Sequence, residues 1–396
     1  MKLVQINSVF GRGSTGRIVN DIHKAAQNNG FESIVFYGRG KKVNDVNVIR
    51  INSKFSIYWH FLLSRLFDYH GLSSTFETKK MVNYIIKIQP DIIHLHNIHG
   101  YYLNYKVLFN YLKTFNGKVI WTLHDCWSYT GHCAYYTYSQ CDKWKTVCNK
   151  CPQMMSYPKS YIDRSSINFK TKKKYFLGVS NLLIITPSIW LNHELDKSIL
   201  SEYKRLVINN GIDTTIFHNT KSNLRKFHNI EDKYIILGVA NVWDKRKGLE
   251  YFIELSNYLS DDEIIILIGL EKKQMRLLNS KIIALGKTDS PVQLAEYYSL
   301  ANIFVNPTLE DNYPTTNLEA LCCLTPVITF NTGGSPEMLD HNGVVLIENS
   351  VYEIYETIKK IRLNHVEFIF DNLIQYDKSY SISKYLNIYV EGEKNS

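Results

Sequence analysis

The chain has no long hydrophobic run, because no stretch of its 396 residues reaches the roughly 18 apolar residues of a membrane-spanning helix. A secretory signal is also lacking, since the strand-like start MKLVQINSVF is followed at once by polar GRGSTGR. Short-period repeats and low-complexity segments are absent as well. We therefore expect a cytoplasmic protein whose cysteines are reduced or metal-bound rather than bridged.

The composition is that of a globular, basic protein. Apolar residues make up 45% of the chain, which excludes a disordered protein, and the length suffices for two domains. The formal net charge of +9 favours acidic partners, namely nucleotides, phosphates, nucleic acid or an anionic membrane surface. A basic soluble protein without such a partner is the simpler alternative.

Short apolar strands alternate with helical segments along the whole chain. Strands are predicted at KLVQINSV, ESIVFYG, DIIHLH, KVIWTLHD and LLIITPS, and again at YIILGVA, EIIILIG, KIIALG, IFVNPT and TPVITF. This alternation predicts an α/β fold with two doubly wound parallel sheets, each covered on both faces. We predict domains over 1–195 and 196–370, facing across a cleft, and a segment 371–396 that packs back on the first domain.

The stretch NPTLEDNYPTTNLEALCCLTPVITFNTGGSPEML (306–339) is the most informative part of the second half. A strand is followed by an acidic loop, and a helix begins near Thr315, so its free N–H groups form a site for a diphosphate. A glycine turn after the next strand lets backbone approach a ligand closely. Taken alone, an acidic loop and a helix with an exposed Glu are the alternative. The candidate binding residues are Asp311, Pro314, Thr315, Thr316, Glu319, Gly333 and Gly334.

This arrangement resembles the retaining glycosyltransferases of the GT-B fold, specifically family 4. Members of that family bind the nucleotide-sugar donor through two acidic residues separated by seven others, and Asp311 and Glu319 take those places here. Both residues are usually Glu in the family, so Asp311 provides a shorter side chain for the contact with the donor sugar. INNGIDTTIF and GVANVWDKRKGLEYFIEL also resemble the family, although Val242 stands where many members have Arg. The resemblance implies that Arg246 or Lys247 offsets the charge of the departing diphosphate.

Features of the first half resemble the acceptor side of capsular and colanic-acid-type members. SVFGRGSTGRIVNDI is similar to the family's Gly-rich loop. HLHNIHG and WTLHDCW are similar to its histidine-containing segments. His124 corresponds to the family's histidine at the donor sugar, and Asp125 orients it or binds acceptor hydroxyls. His99 is either a ligand-binding or a packing residue, and His94 is expected to be a core histidine. The candidate residues of the Gly-rich loop are Gly13, Gly16 and Arg17.

Four cysteines fall within nineteen residues of the loop 126–151, and CNKC is a C-x-x-C pair. Four thiolates in a reducing compartment suit a tetrahedral zinc ion. With four cysteine ligands the zinc would be structural, and we expect no catalytic metal. Free packing cysteines and disulfides are the alternatives. The predicted ligands are Cys133, Cys141, Cys148 and Cys151.

The resemblance implies a cytoplasmic hexosyltransferase-type enzyme. It would move a sugar, with retention of configuration, from a nucleotide diphosphate to a polysaccharide or a polyprenyl-diphosphate-linked acceptor. The process would be synthesis of a bacterial surface polysaccharide (capsule, O-antigen or exopolysaccharide), and no nucleic acid partner is expected. The alternatives are a sugar-nucleotide epimerase on the same scaffold, a zinc-bearing nucleic-acid-binding protein, and a catalytically silent scaffold.

Two segments suggest contact with the inner face of the plasma membrane. FSIYWHFLLSRLFDYHG (55–71) is apolar and aromatic on a helical period, and KTKKKYF (170–176) is a compact basic run. Such segments bind membrane surfaces in other proteins. A buried helix and a solvated loop are the respective alternatives.

Overall fold

The computed structural model describes residues 1–363 and 366–391, and this part of the chain divides into two compact units. The first unit is Met1–Asn209 together with the end of the chain from Ile382, and the second is Asn210–Ser381. Residues 364 and 365 of the predicted second domain, and 392–396 of the predicted C-terminal segment, lie outside the described residues.

The first unit is a parallel sheet with helices on its connections. Its strands are β1 (Lys2–Val9), β2 (Glu32–Arg39), β3 (Val48–Arg50), β4 (Ile92–Leu95), β5 (Lys118–Thr122), β6 (Leu182–Thr186) and β7 (Lys204–Val207). Its helices are α1 (Gly13–Asn28), α2 (Lys54–Phe67), α3 (Thr75–Ile88), α4 (Tyr105–Leu112), α5 (Ser165–Phe176) and α6 (Ile189–Leu195), with a 3₁₀ turn at Lys143–Lys145.

The second unit repeats this plan. Its strands are β8 (Tyr234–Val239), β9 (Glu263–Ile268), β10 (Ile282–Leu285), β11 (Ile303–Asn306), β12 (Val327–Phe330) and β13 (Gly343–Leu346). Its helices are α7 (Leu224–Phe227), α8 (Leu249–Leu255), α9 (Lys272–Met275), α10 (Pro291–Leu300), α11 (Thr315–Cys322) and α12 (Val351–Arg362). Short 3₁₀ turns occur at Lys245–Lys247, Ser335–Met338 and Leu373–Tyr376. The last helix, α13 (Lys378–Val390), starts in this unit and continues into the first.

The strand order shows that both sheets are doubly wound. Within the described residues the orders are β3-β2-β1-β4-β5-β6-β7 and β10-β9-β8-β11-β12-β13, and every pairing is parallel. In each, the winding reverses between the first strand and the fourth, which is where such sheets bind ligands beyond the carboxyl ends. The predicted α/β fold with two Rossmann-like domains is therefore confirmed.

The chain crosses between the units later than predicted, at 209/210 instead of 195/196 and at 381/382 instead of 370/371. The first crossing follows β7, which pairs with β6 and so belongs to the first sheet. Before the second crossing, Ile212 exchanges backbone hydrogen bonds with Tyr376 and Lys378 at 2.8 and 2.7 Å. Short, half-exposed β7 (KRLV) lacks the apolar run that identified most of the other strands.

The end of α13 completes the first core. Tyr385 and Tyr389 are buried there, with hydroxyl groups that reach Thr122 and His94 at 3.3 and 2.6 Å. Lys118 adds a hydrogen bond from Nζ to the Ile388 carbonyl at 2.5 Å. None of the described helices has the length and apolarity needed to cross a membrane.

Candidate active site

Three loops of the second unit meet at the carboxyl ends of β8, β11 and β12. The Leu309 amide donates to the Arg246 carbonyl at 2.7 Å, which joins the loops after β8 and β11. The Gly334 amide donates to the Asp311 carbonyl at 3.4 Å, which joins the loop after β12. Lys247 Nζ lies 2.5 Å from Asp311 Oδ2. A cation, a carboxylate and a glycine turn are thus brought together at the switch point of this sheet.

Two glycines permit this close approach. Gly248 has φ +76° and a Cβ there would lie 2.3 Å from the Pro307 carbonyl oxygen. Gly333 has φ +56° and a Cβ there would lie 1.8 Å from the carbonyl oxygen of Asp311. Both positions combine a left-handed backbone with no room for a side chain, so only glycine keeps the loops in contact.

Both predicted cations lie in this loop cluster. Lys247 and Asp311 are mostly buried, with side chains 20% and 16% exposed. Arg246 contacts Asp244 Oδ2 through Nε at 3.2 Å and donates from Nη1 to the Glu310 carbonyl at 3.2 Å. An ammonium group held beside a carboxylate can offer positive charge to a diphosphate, while the carboxylate accepts a sugar hydroxyl.

Helix α11 begins at Thr315, as the sequence predicts, with Pro314 at the N-cap position. No side chain caps its first turn, which holds Thr315 and Thr316 and no acidic residue, so the helix dipole is available to an anion. Glu319 is 7% exposed and its carboxylate accepts a hydrogen bond from the buried Tyr298 hydroxyl at 3.0 Å. The alternative of an exposed helical Glu is therefore wrong.

A buried asparagine pair beside this helix was missed by the sequence reasoning. Asn306 Nδ2 donates to Asn317 Oδ1 at 2.7 Å, and Asn317 Nδ2 donates to the Ser335 carbonyl at 3.4 Å. The pair ties the end of β11 to α11 and to the turn after β12. The one available signal was a polar residue, Asn306, at the end of an apolar strand.

In the first unit, the half-buried His124 pairs with the buried His96. His124 Nε2 lies 3.3 Å from His96 Nδ1, and the two rings are stacked with centroids 5.5 Å apart. Burial lowers the pKa of His124 to about 4 and that of His96 well below its usual value. Both imidazoles are therefore neutral at pH 7, and His124 can exchange a hydrogen bond without carrying charge.

Asp125 pairs with His99 at the same edge of the sheet. His99 Nε2 lies 2.9 Å from Asp125 Oδ2, and His99 Nδ1 lies 3.1 Å from the Tyr157 hydroxyl. Burial would raise the pKa of Asp125, but His99 and the Trp127 amide outweigh it and lower that pKa. Asp125 is thus an anion that orients His99, whereas His124 pairs with His96. All four residues line one small pocket. Tyr157 carried no signal in the sequence.

The Gly-rich loop closes on itself at the start of α1. The Gly11 amide donates to the Gly16 carbonyl at 2.8 Å, and Gly13 has φ +63°. Gly16 is buried, and a Cβ there would lie 3.1 Å from Val9. Arg17 is exposed and its Nε donates to the carbonyl of Gly13 at 3.3 Å. The loop therefore needs its glycines for backbone geometry and packing.

The zinc prediction is not supported by the structure. The four cysteines line a single cavity, but among residues 1–363 and 366–391 no group of three or more His, Cys, Asp or Glu is arranged to hold a metal ion. A hydrogen bond between the Cys133 and Cys151 thiols raises the pKa of Cys133 and lowers that of Cys151 to about 7. Cys148 Sγ accepts from the Gly131 amide at 3.2 Å. The thiols are unbridged and contact one another and the backbone, as packing cysteines do.

His94 is a core histidine that makes the first unit sensitive to acid. It is fully buried, its Nδ1 and Nε2 bond Tyr389 and Thr122 at 2.6 and 2.8 Å, and burial lowers its pKa to about 3. Below pH 6.5, His94 becomes protonated in the unfolded chain but stays neutral in the folded protein. Its contribution to stability is therefore full above pH 6.5 and falls as pH drops toward 3, by about 2 kcal/mol at pH 5.

We expect His94→Gln to lower the free energy of unfolding at pH 7 and to flatten its decline between pH 7 and pH 5. Urea unfolding at both pH values measures this. The matched control is His341→Gln, because the His341 side chain is 71% exposed and should leave the slope unchanged. An unchanged slope in the His94 variant would contradict the assignment.

Comparison with known proteins agrees with this geometry. Residues 220–368 match the family model described as "Glycosyl transferases group 1". The chain is 26% identical to the putative colanic acid biosynthesis glycosyl transferase WcaC of Escherichia coli (strain K12), over 98% of this chain and 99% of that protein.

Solved structures share the fold. A glycosyltransferase from Rickettsia africae superposes with a TM-score of 0.70 at 16% identity, over 100% of this chain and 99% of that one. Anabaena HepE in complex with UDP-glucose superposes with a TM-score of 0.66 at 15% identity, over 98% of this chain and 100% of that one. The protein thus has the two-domain GT-B fold. It is a glycosyltransferase that carries a group 1 domain.

Proposed function

We propose that the protein transfers a sugar, with retention of configuration, from a nucleotide diphosphate to a glycan or polyprenyl-diphosphate-linked acceptor in bacterial surface polysaccharide synthesis. The observation that carries the donor site is the contact of Lys247 with Asp311 beside the Gly333–Gly334 turn. It supplies charge for a diphosphate and an acceptor for a sugar hydroxyl in one place. The resemblance of the sequence to the retaining transferases of family 4 is the ground for proposing retention.

Relatives support the choice of substrates. One is a Campylobacter jejuni N-acetylgalactosaminyltransferase whose name specifies a diphospho-undecaprenol acceptor, 26% identical over 42% of this chain. WcaC is named for colanic acid biosynthesis, and HepE was solved with UDP-glucose. Neither the epimerase nor the nucleic-acid-binding alternative gains support, because WcaC and the Campylobacter relative are both named as transferases. We place the reaction at the cytoplasmic face of the membrane, where a lipid-linked acceptor is available.

The residues divide into donor and acceptor roles. Lys247, with Arg246 and the N-terminus of α11, binds the diphosphate, and Asp311 and Glu319 bind hydroxyl groups of the donor. The bond from the anomeric carbon to the phosphate oxygen breaks, and the acceptor oxygen bonds that carbon on the same face. The departing phosphate takes the acceptor's proton, so no separate protein base is needed. His124 and Asp125 contact the reacting sugar, and the Gly-rich loop with Arg17 binds the acceptor.

A binding experiment with Glu319→Gln tests the donor site. Isothermal titration of the native protein with UDP-, GDP-, ADP- and dTDP-sugars should find one that binds, and we expect Glu319→Gln to weaken it by about ten- to a hundredfold because a charged hydrogen bond is lost. The amide keeps an acceptor for Tyr298, which protects the fold.

Tyr298→Phe is the matched control, since it removes the hydrogen bond to Glu319 but keeps the carboxylate. Its donor affinity should stay within a few-fold of native. Equal losses in both variants would make Glu319 a packing residue. If no nucleotide sugar binds the native protein, the proposed donor site fails.

A further inference from the structure

Helix α2 has its polar side inward and its apolar side outward. Its buried residues are His60 and Ser64. Its outward stripe includes Phe55, Tyr58 and Trp59, whose exposed fractions are 76%, 63% and 49%. A helix on a water-exposed surface normally has the opposite arrangement. The apolar period that we read in the sequence is present, but the alternative of a buried helix is wrong.

Hydrogen bonds hold the helix in this orientation. His60 Nδ1 lies 2.9 Å from Ser74 Oγ, and His60 Nε2 accepts from the Gly71 amide at 3.1 Å. Ser64 Oγ donates to the His60 carbonyl at 2.8 Å. The Ser64 bond lies within α2, but turning the aromatic side chains inward would break both bonds from His60 to Ser74 and Gly71, at about 1–3 kcal/mol for each buried group that loses its partner. The outward aromatic stripe is thus a fixed property of the fold.

The apolar surface continues beyond the helix. The Tyr161 amide donates to the Arg65 carbonyl at 2.9 Å, and the Arg65 guanidinium lies 5.0 Å from the centre of the Tyr161 ring. Tyr161 is 62% exposed. We call this set the aromatic surface, and its members are Phe55, Tyr58, Trp59, Phe61, Leu66, Phe67 and Tyr161.

The charges carried by helix α2 itself have one sign. Helix α2 contains Lys54 and Arg65 and no acidic residue. The carboxylate that follows, Asp68, is buried against His132 at 2.7 Å and Asn168 at 2.9 Å, so it does not offset them at the surface. Tryptophan, tyrosine and phenylalanine with flanking cations characterise helices that lie in the interface of an anionic bilayer.

We propose that the aromatic surface docks the protein on an anionic phospholipid bilayer, with α2 lying in the plane of the membrane. The rings enter the headgroup region and Lys54 and Arg65 meet lipid phosphates. This inference stands on the geometry of the first unit and does not require the donor site. Docking in this way gives the enzyme access to the lipid-linked acceptor proposed above.

Vesicle co-sedimentation tests the proposal. The native protein should bind vesicles of mixed phosphatidylglycerol and phosphatidylcholine, and bind phosphatidylcholine alone much more weakly. The variant with Phe55→Ser, Tyr58→Ser and Trp59→Ser should bind the mixed vesicles about tenfold more weakly or worse, since three interfacial rings are lost. Lys54→Gln with Arg65→Gln should remove the preference for anionic lipid.

The matched control replaces three exposed apolar residues of the second unit, Phe227, Ile347 and Ile374, by serine; it should bind like the native protein. Circular dichroism and donor titration establish that each variant is folded. Native-like binding by the triple aromatic variant, or no binding by the native protein, overturns the proposal. A second outcome also overturns it: light scattering shows that the native protein is a dimer and the triple aromatic variant a monomer, and vesicles bind neither protein.

Discussion

Lys247→Ala is expected to lower kcat for sugar transfer by about a hundred- to a thousandfold, the usual cost of removing one group that stabilises transition-state charge. As the bond to the donor phosphate breaks, negative charge grows on the diphosphate. The Lys247 ammonium is held 2.5 Å from Asp311 at the switch point of the second sheet. Because that charge is larger in the transition state than in the bound donor, kcat should fall more than the KM for the donor rises.

Steady-state kinetics with the donor identified by titration measure this effect. Lys245→Ala is the matched control, since Lys245 is exposed in the same 3₁₀ turn and should leave kcat within a few-fold. Lys247→Arg keeps the charge and should recover part of the rate. A variant with normal kcat and raised KM would limit Lys247 to ground-state binding, and Arg246→Ala would then be tested for the catalytic role.

Asp68→Ala is expected to lower the free energy of unfolding of the first unit by about 2–6 kcal/mol, because buried donors on His132 and Asn168 each lose their acceptor at about 1–3 kcal/mol. Asp68 ends α2 with φ +52° and is 1% exposed. Its carboxylate lies 2.7 Å from His132 Nδ1 and accepts from Asn168 Nδ2 at 2.9 Å. It therefore joins α2, the cysteine-bearing loop and α5 at one buried point.

Urea unfolding followed by circular dichroism checks this prediction. Asp68→Asn keeps the tolerance of asparagine for positive φ and one acceptor oxygen, so it should cost less than the alanine variant. Asp142→Ala is the control, because Asp142 is 75% exposed in its pair with Lys145 and such pairs contribute about 0–1 kcal/mol. Equal losses from Asp68→Ala and Asp142→Ala would contradict a structural role for the buried network.

Much of the fold was predictable because its signals are local. Apolar runs between turn residues identify most strands, and the start of α11 at Thr315 follows from the residues before it. The weak strands β3, β7 and β13 are short and partly exposed, so they have no such signal. Their place depends on pairing with a neighbouring strand that is distant in sequence.

The candidate site was predictable in its residue types but not in its contacts. The resemblance to family 4 pointed to Asp311 and Glu319. It did not indicate that Lys247 pairs with Asp311, or that Tyr298 bonds Glu319. Cysteine spacing in turn favoured a zinc site that the structure does not support, because spacing along a loop does not determine whether four sulfur atoms converge.

By itself, the sequence determined the two-sheet plan, the order of its well-buried strands, and the loops that we propose bind the donor. Periodicity and turn residues act over a few positions and need no distant partner. Only the tertiary structure decided where the chain crosses between the units, which groups pair at the strand ends, and which way α2 faces. An apolar stripe has the same sequence pattern whether it points to a core or to a membrane. The buried hydrogen bonds of His60 with Ser74 and Gly71 settle that direction, and they depend on residues brought together by folding.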